Sequence, residues 1–366
     1  MGEYQYYEFQ AIERGLTKVE QQEISRLSSR VGLTSRKAIF RYSYGDFPAN
    51  EKQILAEYFD ALFYMANWGT VKLMFKFPIS LVDPQELAEY IYSDVISIKK
   101  TKNHLILNIE INDEERCEWI EEDSNYLDDL INLRTQILER DYRVLYLAWL
   151  KAIELDEKKL IQSKEPPLPH GLKELSESHK IFIELFEVNK YLIEVASINS
   201  PKINPIQDNI LEKNITKLSN SEKDDFLLRL LKEEANLSLK LKQKLSAFNE
   251  SVNQQSSPEK RTIKWLLTEA QKAKQLEQER QAEEIRQKNI RELKAFASRE
   301  DDAWQEVDNL IQKGQPKPYD EAKKLLIKLK ELAIYQGKEA IFSQRLEDIK
   351  TKYSRKKTFI QRINHL

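Results

Sequence analysis

The stretch that most constrains this chain runs from Glu259 to Lys313, 55 residues without a glycine or a proline. Ser257 is a good N-cap residue, Pro258 suits the first helical position, and Glu259 complements the positive end of the helix dipole. The sequence therefore predicts a long helix starting near Ser257. From Gln271 to Glu292, 11 of 22 residues are charged, and Ala273, Leu276, Ala282, Ile285 and Ile290 are the only apolar ones. So polar a helix is expected to be solvated along most of its length and to bridge packed bodies. Continuous from 259 to 297, it would extend about 58 Å at roughly 1.5 Å per residue. The charge steps Arg280–Glu284, Glu284–Lys288 and Lys288–Glu292 suit a solvated single helix. A break is expected at Ser298, with Asp301 completing a capping box.

On either side of this rod the pattern predicts an α+β fold: a small mixed-sheet N-terminal domain, then an all-α region ending in a helical hairpin. Residues 4–12, 37–44 and 71–77 read as strands, and 95–99 with 104–111 as a β-hairpin. Thr17 with Glu20 marks a capping box. Asp83-Pro84 opens a short helix, and Asn50 with Gln53 opens a longer one expected to reach Asn67 and to end at Gly69 as a C-cap. The expected divisions are residues 1–112, an acidic segment with helices at 113–165, a helical domain at 166–256, the long helix at 257–313, and a basic hairpin at 314–366. Glu165-Pro166-Pro167-Leu168-Pro169 reads as a stiff linker. Ser221 with Asp224 is expected to cap a helix reaching Phe248, its core face beginning with Phe226, Leu227, Leu230 and Leu231.

Charge is unevenly spread. Residues 1–165 carry 21 Lys+Arg against 29 Asp+Glu, while 259–366 carry 25 against 18. From Glu110 to Asp129 ten carboxylates face one base, Arg116. Glu118, Glu121, Glu122 and Asp123 are the candidate acidic contact for a basic partner. The run also offers oxygen ligands to hard cations, but it lacks the spacing and the glycine of an EF-hand loop. At the other end, Lys350, Lys352, Arg355, Lys356, Lys357 and Arg362 follow with no acid after Asp348. They are the candidate contact for a protein partner or for phosphates. On one continuous helix, Lys352, Arg355, Lys356 and Arg362 fall near one face.

Catalytic and cofactor signatures are missing. The eight glycines form no phosphate-cradling motif, and the four histidines lie far apart. No Cys/His cluster points to zinc, and Cys117 sits among carboxylates that disfavour a thiolate. The reading is of a protein that is not an enzyme and has no cofactor or metal. One cysteine and an N-terminus lacking a basic and an apolar region fit a cytoplasmic chain, and no apolar run is long enough to span a membrane. Other proteins are the expected partners. The function expected is that of a non-catalytic scaffold holding partners through its α+β head and helical C-terminus. The alternative is a nucleic-acid-associated accessory protein using the basic tail.

Two stretches carry a resemblance. Tyr6-Tyr7-Glu8-Phe9-Gln10-Ala11-Ile12, with Tyr58-Phe59-Asp60 and Ala66-Asn67-Trp68-Gly69, resembles the start of a bacterial family of proteins with no assigned activity. The end, Tyr319-Asp320-Glu321-Ala322 through Arg355-Lys356-Lys357, resembles the helical tail of bacterial SWIM zinc-finger proteins, which are associated with nucleic-acid contexts. The SWIM cysteines and histidine are absent here, so the resemblance implies no zinc.

Overall fold

A computed structural model describes residues 4–92, 95–113, 125–155, 164–202, 208–232, 234, 236–250 and 260–366. The chain divides into two compact units, Met1–Ala273 and Lys274–Leu366.

The first unit opens with β1 (Gln5–Gln10), α1 (Lys18–Ser25), β2 (Gly32–Leu33), β3 (Lys37–Tyr42), α2 (Glu51–Tyr58), β4 (Ala61–Ala66), β5 (Thr70–Pro78), α3 (Pro84–Ala88), β6 (Ile96–Lys100) and β7 (His104–Asn112). The seven strands form one sheet in the order β2-β3-β1-β4-β5-β7-β6. The fold class is α+β, but the sheet is antiparallel throughout rather than mixed. The reason lies in strand order. Helix α2 does join two parallel strands, β3 and β4, yet β1 lies between them and pairs antiparallel with both. β7 likewise separates β5 from β6.

The helix expected from Asn50 to Asn67 stops at Tyr58, and Ala61–Ala66 is the central strand β4. Its six residues, Ala-Leu-Phe-Tyr-Met-Ala, are all buried. Ala61, Phe63 and Met65 join one core, and Leu62, Tyr64 and Ala66 the other. A strand covered on both faces is apolar at every position, which erases the alternation that would distinguish it from a buried helix. Gly69, at φ +91°, turns the β4–β5 hairpin rather than capping a helix.

Helices cover both faces of the sheet. On one side α1 and α2 pack with Phe9, Phe40 and Phe59. The other side carries the larger core, built with α4 (Tyr126–Leu138), α5 (Arg143–Leu155), α6 (Glu177–Leu185) and α7 (Lys190–Ser197). Helix α5 is buried from Arg143 to Ile153. The proline-rich stretch packs into this unit instead of linking domains: Glu165 and Pro166 are buried, and the Tyr90 hydroxyl donates to Pro167 O at 2.9 Å. Then come α8 (Asp208–Ile215), α9 (Asn220–Leu231) and α10 (Leu237–Glu250). The capping box of α9 is Ser219 with Glu222, not Ser221 with Asp224.

The long helix, α11, runs from Ile263 to Ala297. Ser257 and Pro258 lie outside the described residues, and Lys260 and Arg261 are not helical, so the helix begins later than the sequence pattern suggested. Its first turns bury Ile263, Leu266 and Ala270 in the first unit's core. From Lys274 to Glu292 it is largely exposed and carries the pairs Arg280–Glu277 (2.9 Å), Arg280–Glu284 (3.9 Å) and Arg286–Glu283 (4.0 Å).

In the second unit, α12 (Glu300–Lys313), α13 (Pro316–Gln336), α14 (Glu339–Lys352) and α15 (Lys357–Ile363) share one core. Ser298 does not cap α12; its hydroxyl donates back to Ala295 O. The expected hairpin over 314–366 is three helices, because the chain breaks between α14 and α15. Phe342, Leu346, Ile349 and Tyr353 form one stripe, whereas on a continuous helix Phe359 and Ile363 would fall about 110° and about 70° from its middle. The break brings both back into the core, where each is fully buried. Gly337 ends α13 at φ +69°. A Cβ there meets nothing within 4 Å, so the cost of Gly337→Ala is purely conformational. We expect a loss of about 1 kcal/mol in chemical denaturation monitored on this unit, and a smaller loss for Gly337→Asn.

Candidate functional site

The six tail cations have different fates. Lys356 Nζ donates to Ile311 O at 2.5 Å and Gln312 O at 3.1 Å, satisfying orphan carbonyls at the end of α12. One turn earlier Asp308 accepts from Lys352 Nζ (2.8 and 2.9 Å), the Tyr353 hydroxyl (2.8 Å) and Gln312 Nε2 (3.2 Å). Partial burial works against ionisation of Asp308, but these donors hold its pKa below the usual value. Arg362 reaches Pro316 O at 2.6 Å and Asp320 at 2.9 Å, holding α15 to the first turn of α13. Lys350 pairs with Glu347 at 2.9 Å. Four of the six are thus tied within their own unit. Arg355 and Lys357 are exposed and have no partner among the described residues. The single basic helical face expected from the sequence is not formed, since Tyr353–Lys356 lies between helices α14 and α15.

The acidic candidates Glu118, Glu121, Glu122 and Asp123 lie outside the described residues. Their flanks are engaged in the first unit: Glu110 lies 3.5 Å from Lys72, and Asp128 lies 2.8 Å from Lys37.

The structure also reveals a surface that the periodicity misassigned. The face of α9 expected to start a core is open. Leu227, Leu228, Leu230 and Leu231 are 59, 56, 62 and 81% exposed, and no residue of the helix is buried. The neighbouring charges are already matched. Arg229 pairs with Asp225 (3.2 Å) and Glu234 (2.7 Å), Lys240 with Glu234 (2.6 Å), and Lys244 with Glu222 (2.7 Å). On the helix itself Lys223 and Asp224, one turn before the leucines, have no ion-pair partner among the described residues, and the leucines stand beside them uncovered.

Three buried polar groups hold the first unit together. Glu8, in the middle of β1, meets Lys37 at 2.8 Å and accepts from the Tyr6 hydroxyl and from Leu127 N. Arg143 forks onto Asp141 and caps Gly171 O and Glu174 O, beside the fully buried His179. Arg261 binds Glu165 at 2.5 and 2.7 Å, and Glu165 also accepts from the Tyr146 hydroxyl. Glu8, a lone carboxylate in an aromatic strand, and Asp141, two residues before Arg143, are the local signals among these; Arg143 with Gly171 and Glu174, and Arg261 with Glu165, lie 28 to 96 residues apart. No group of three or more His, Cys, Asp or Glu among the described residues is arranged to hold a metal.

Sheet, helices and surfaces define an α+β chain with a long helical C-terminal region, in which no described helix is long and apolar enough to cross a membrane. No family model, curated protein or solved structure matches it.

Proposed function

We propose that the protein is a non-catalytic interaction protein whose partner is another polypeptide, docking an apolar helix on α9. The observation that carries this reading is the run of four exposed leucines on a helix beside which Arg229, Lys240 and Lys244 are already held by carboxylates. Contiguous exposed apolar surface marks interaction sites, and fully burying a leucine contributes about 1.5–3 kcal/mol. With Arg229, Lys240 and Lys244 engaged by carboxylates, the leucines are the dominant free surface, and an amphipathic helix is its complement. The basic tail supports the protein reading as well, because most of its cations already serve their own unit.

The test compares the full chain with a Leu228→Glu, Leu231→Glu variant in affinity capture. The expected result is a protein that, once purified, binds the parent chain and binds the variant at least about tenfold more weakly. Purified candidates that bind both chains equally would overturn the α9 assignment. Parent chain that sediments as a dimer, with the variant monomeric, would make a second copy the occupant instead. In a parallel arm, low-salt binding of a single-stranded oligonucleotide that Arg355→Glu with Lys357→Glu abolishes would favour the nucleic-acid reading.

A further inference from the structure

A cleft of about 360 Å³ opens in the first unit between the loop after β1, helix α4 and the first turns of α10. It belongs neither to the α9 face nor to the tail. Its most unusual wall residue is Arg134. This arginine is 3% exposed, yet it lines the cleft. Its guanidinium lies over the Phe77 ring at 5.4 Å, Nε donates to Lys76 O at 3.0 Å, and Nη2 donates to Glu13 at 2.6 Å. Nη1 makes no hydrogen bond among the described residues. A buried guanidinium fixed on three sides with one nitrogen unused is a preorganised donor for an anion.

A second feature meets it from the opposite wall. Helix α10 has 14 residues and begins at Leu237. The residue before it, Asn236, sits at φ +60° rather than in the extended conformation of an N-cap, and its side chain caps nothing among the described residues. Asn236, Ser238 and Leu239 line the cleft, so the uncapped first turn and its positive dipole end face the same space as Arg134. Lys242, one turn on, adds a third positive group. Its contact with Glu139 is long (3.4 Å) and open to water, with side chains 58 and 44% exposed. Such a pair is worth under about 1 kcal/mol and is readily exchanged for a ligand.

The cleft is not simply an anion hole. Glu13 and Glu139 also line it, so two carboxylates stand beside the two cations. A phosphate would meet both as like charges. A ligand bearing one carboxylate and one ammonium satisfies both signs at once. The volume lies near the lower end of the roughly 300–1,000 Å³ typical of ligand sites, which limits the ligand to a small one.

We propose that this cleft binds a small zwitterion with the chemistry of a free α-amino acid. The carboxylate sits between Arg134 Nη1 and the start of α10, and the ammonium sits against Glu13 and Glu139. The test is calorimetric titration of the full chain with each proteinogenic L-amino acid, and with acetate, methylammonium and inorganic phosphate as single-charge probes. We expect at least one amino acid to bind about tenfold or more tightly than acetate or methylammonium. Lys242→Met and Glu139→Gln alter exposed side chains. Each should weaken that amino acid several-fold while leaving the unliganded melting midpoint in place, and Glu139→Gln, which frees Lys242, should leave acetate binding as strong or stronger. The proposal is overturned if no amino acid binds at about 10 mM, well beyond the weakest affinity a specific site would show. Phosphate binding more tightly than every amino acid, or undiminished binding in the Lys242→Met, Glu139→Gln double variant, would overturn it equally.

Discussion

Replacing Arg261 by methionine is expected to destabilise the first unit by about 3–5 kcal/mol, the cost of leaving a buried carboxylate without its partner. Glu165 is 3% exposed and takes two bonds from the Arg261 guanidinium, which also donates to Val195 O at 3.2 Å and Ala196 O at 3.3 Å. The same place joins two distant parts of the chain, since Lys164 and Thr262 form an isolated antiparallel bridge and Glu165 N donates to Arg261 O at 3.1 Å. Tyr146 of α5 completes the group. Burial and then the Glu165 carboxylate push its phenol well above the ordinary value, which keeps it a donor to Glu165. The melting midpoint should fall by roughly 10 °C in Arg261→Met. Adding Glu165→Gln should recover part of the loss, because the orphaned charge is then gone. A change in Arg261→Met of under about 1 kcal/mol would show that water reaches Glu165 and that the pair is not sealed.

The second large effect is one of pH. His179 is fully buried, with Ser176 Oγ 2.7 Å from Nδ1 and no partner for Nε2 among the described residues. Burial, and then the nearby Arg143 guanidinium, push its pKa from 6.5 down to about 4, with Asp141 partly opposing. The native state therefore keeps the ring neutral while the unfolded chain takes up a proton below pH 6.5. Stability is unaffected by this group above that pH and falls as the pH drops from 6.5 towards 4. The loss accumulates to about 3 kcal/mol across the window and then levels off. Urea midpoints measured from pH 7 to pH 4 should show this slope in the parent chain and lose it in His179→Gln. A slope that survives the substitution would assign it to other groups.

Much of the secondary structure was legible because local chemistry specified it. The Thr17–Glu20 capping box and the Asn50 and Asp83 caps all appear where the sequence places them. The caps expected at Ser221 and Ser298 failed locally, but the larger errors share one cause, a partner that is distant in the sequence. Residues 61–66 are apolar throughout because both faces of β4 are covered, and no local pattern records that. The leucines of α9 carry helical spacing whether or not anything packs on them. The tail looked like a free basic face because Asp308 and the carbonyls of Ile311 and Gln312 lie 44 or 45 residues from the lysines that reach them. Arg134 gave no signal at all. Its role in the cleft depends on Glu13, 121 residues away, and on a helix that begins after Asn236.

The place of β1 inside the sheet, between β3 and β4, has a consequence for synthesis. β1 is synthesised before both strands it pairs with, β3 and β4, whose residues extend to Ala66. At about 5–20 residues per second, the segment Gln5–Gln10 waits several seconds before its second neighbour has emerged. During that interval three aromatic side chains destined for the interior, Tyr6, Tyr7 and Phe9, are in water on an unpaired strand. Such a segment invites pairing with another nascent chain. Glu8 interrupts it with a charge. The carboxylate that Lys37 later neutralises at 2.8 Å is, until β3 has been made, a gatekeeper against premature association.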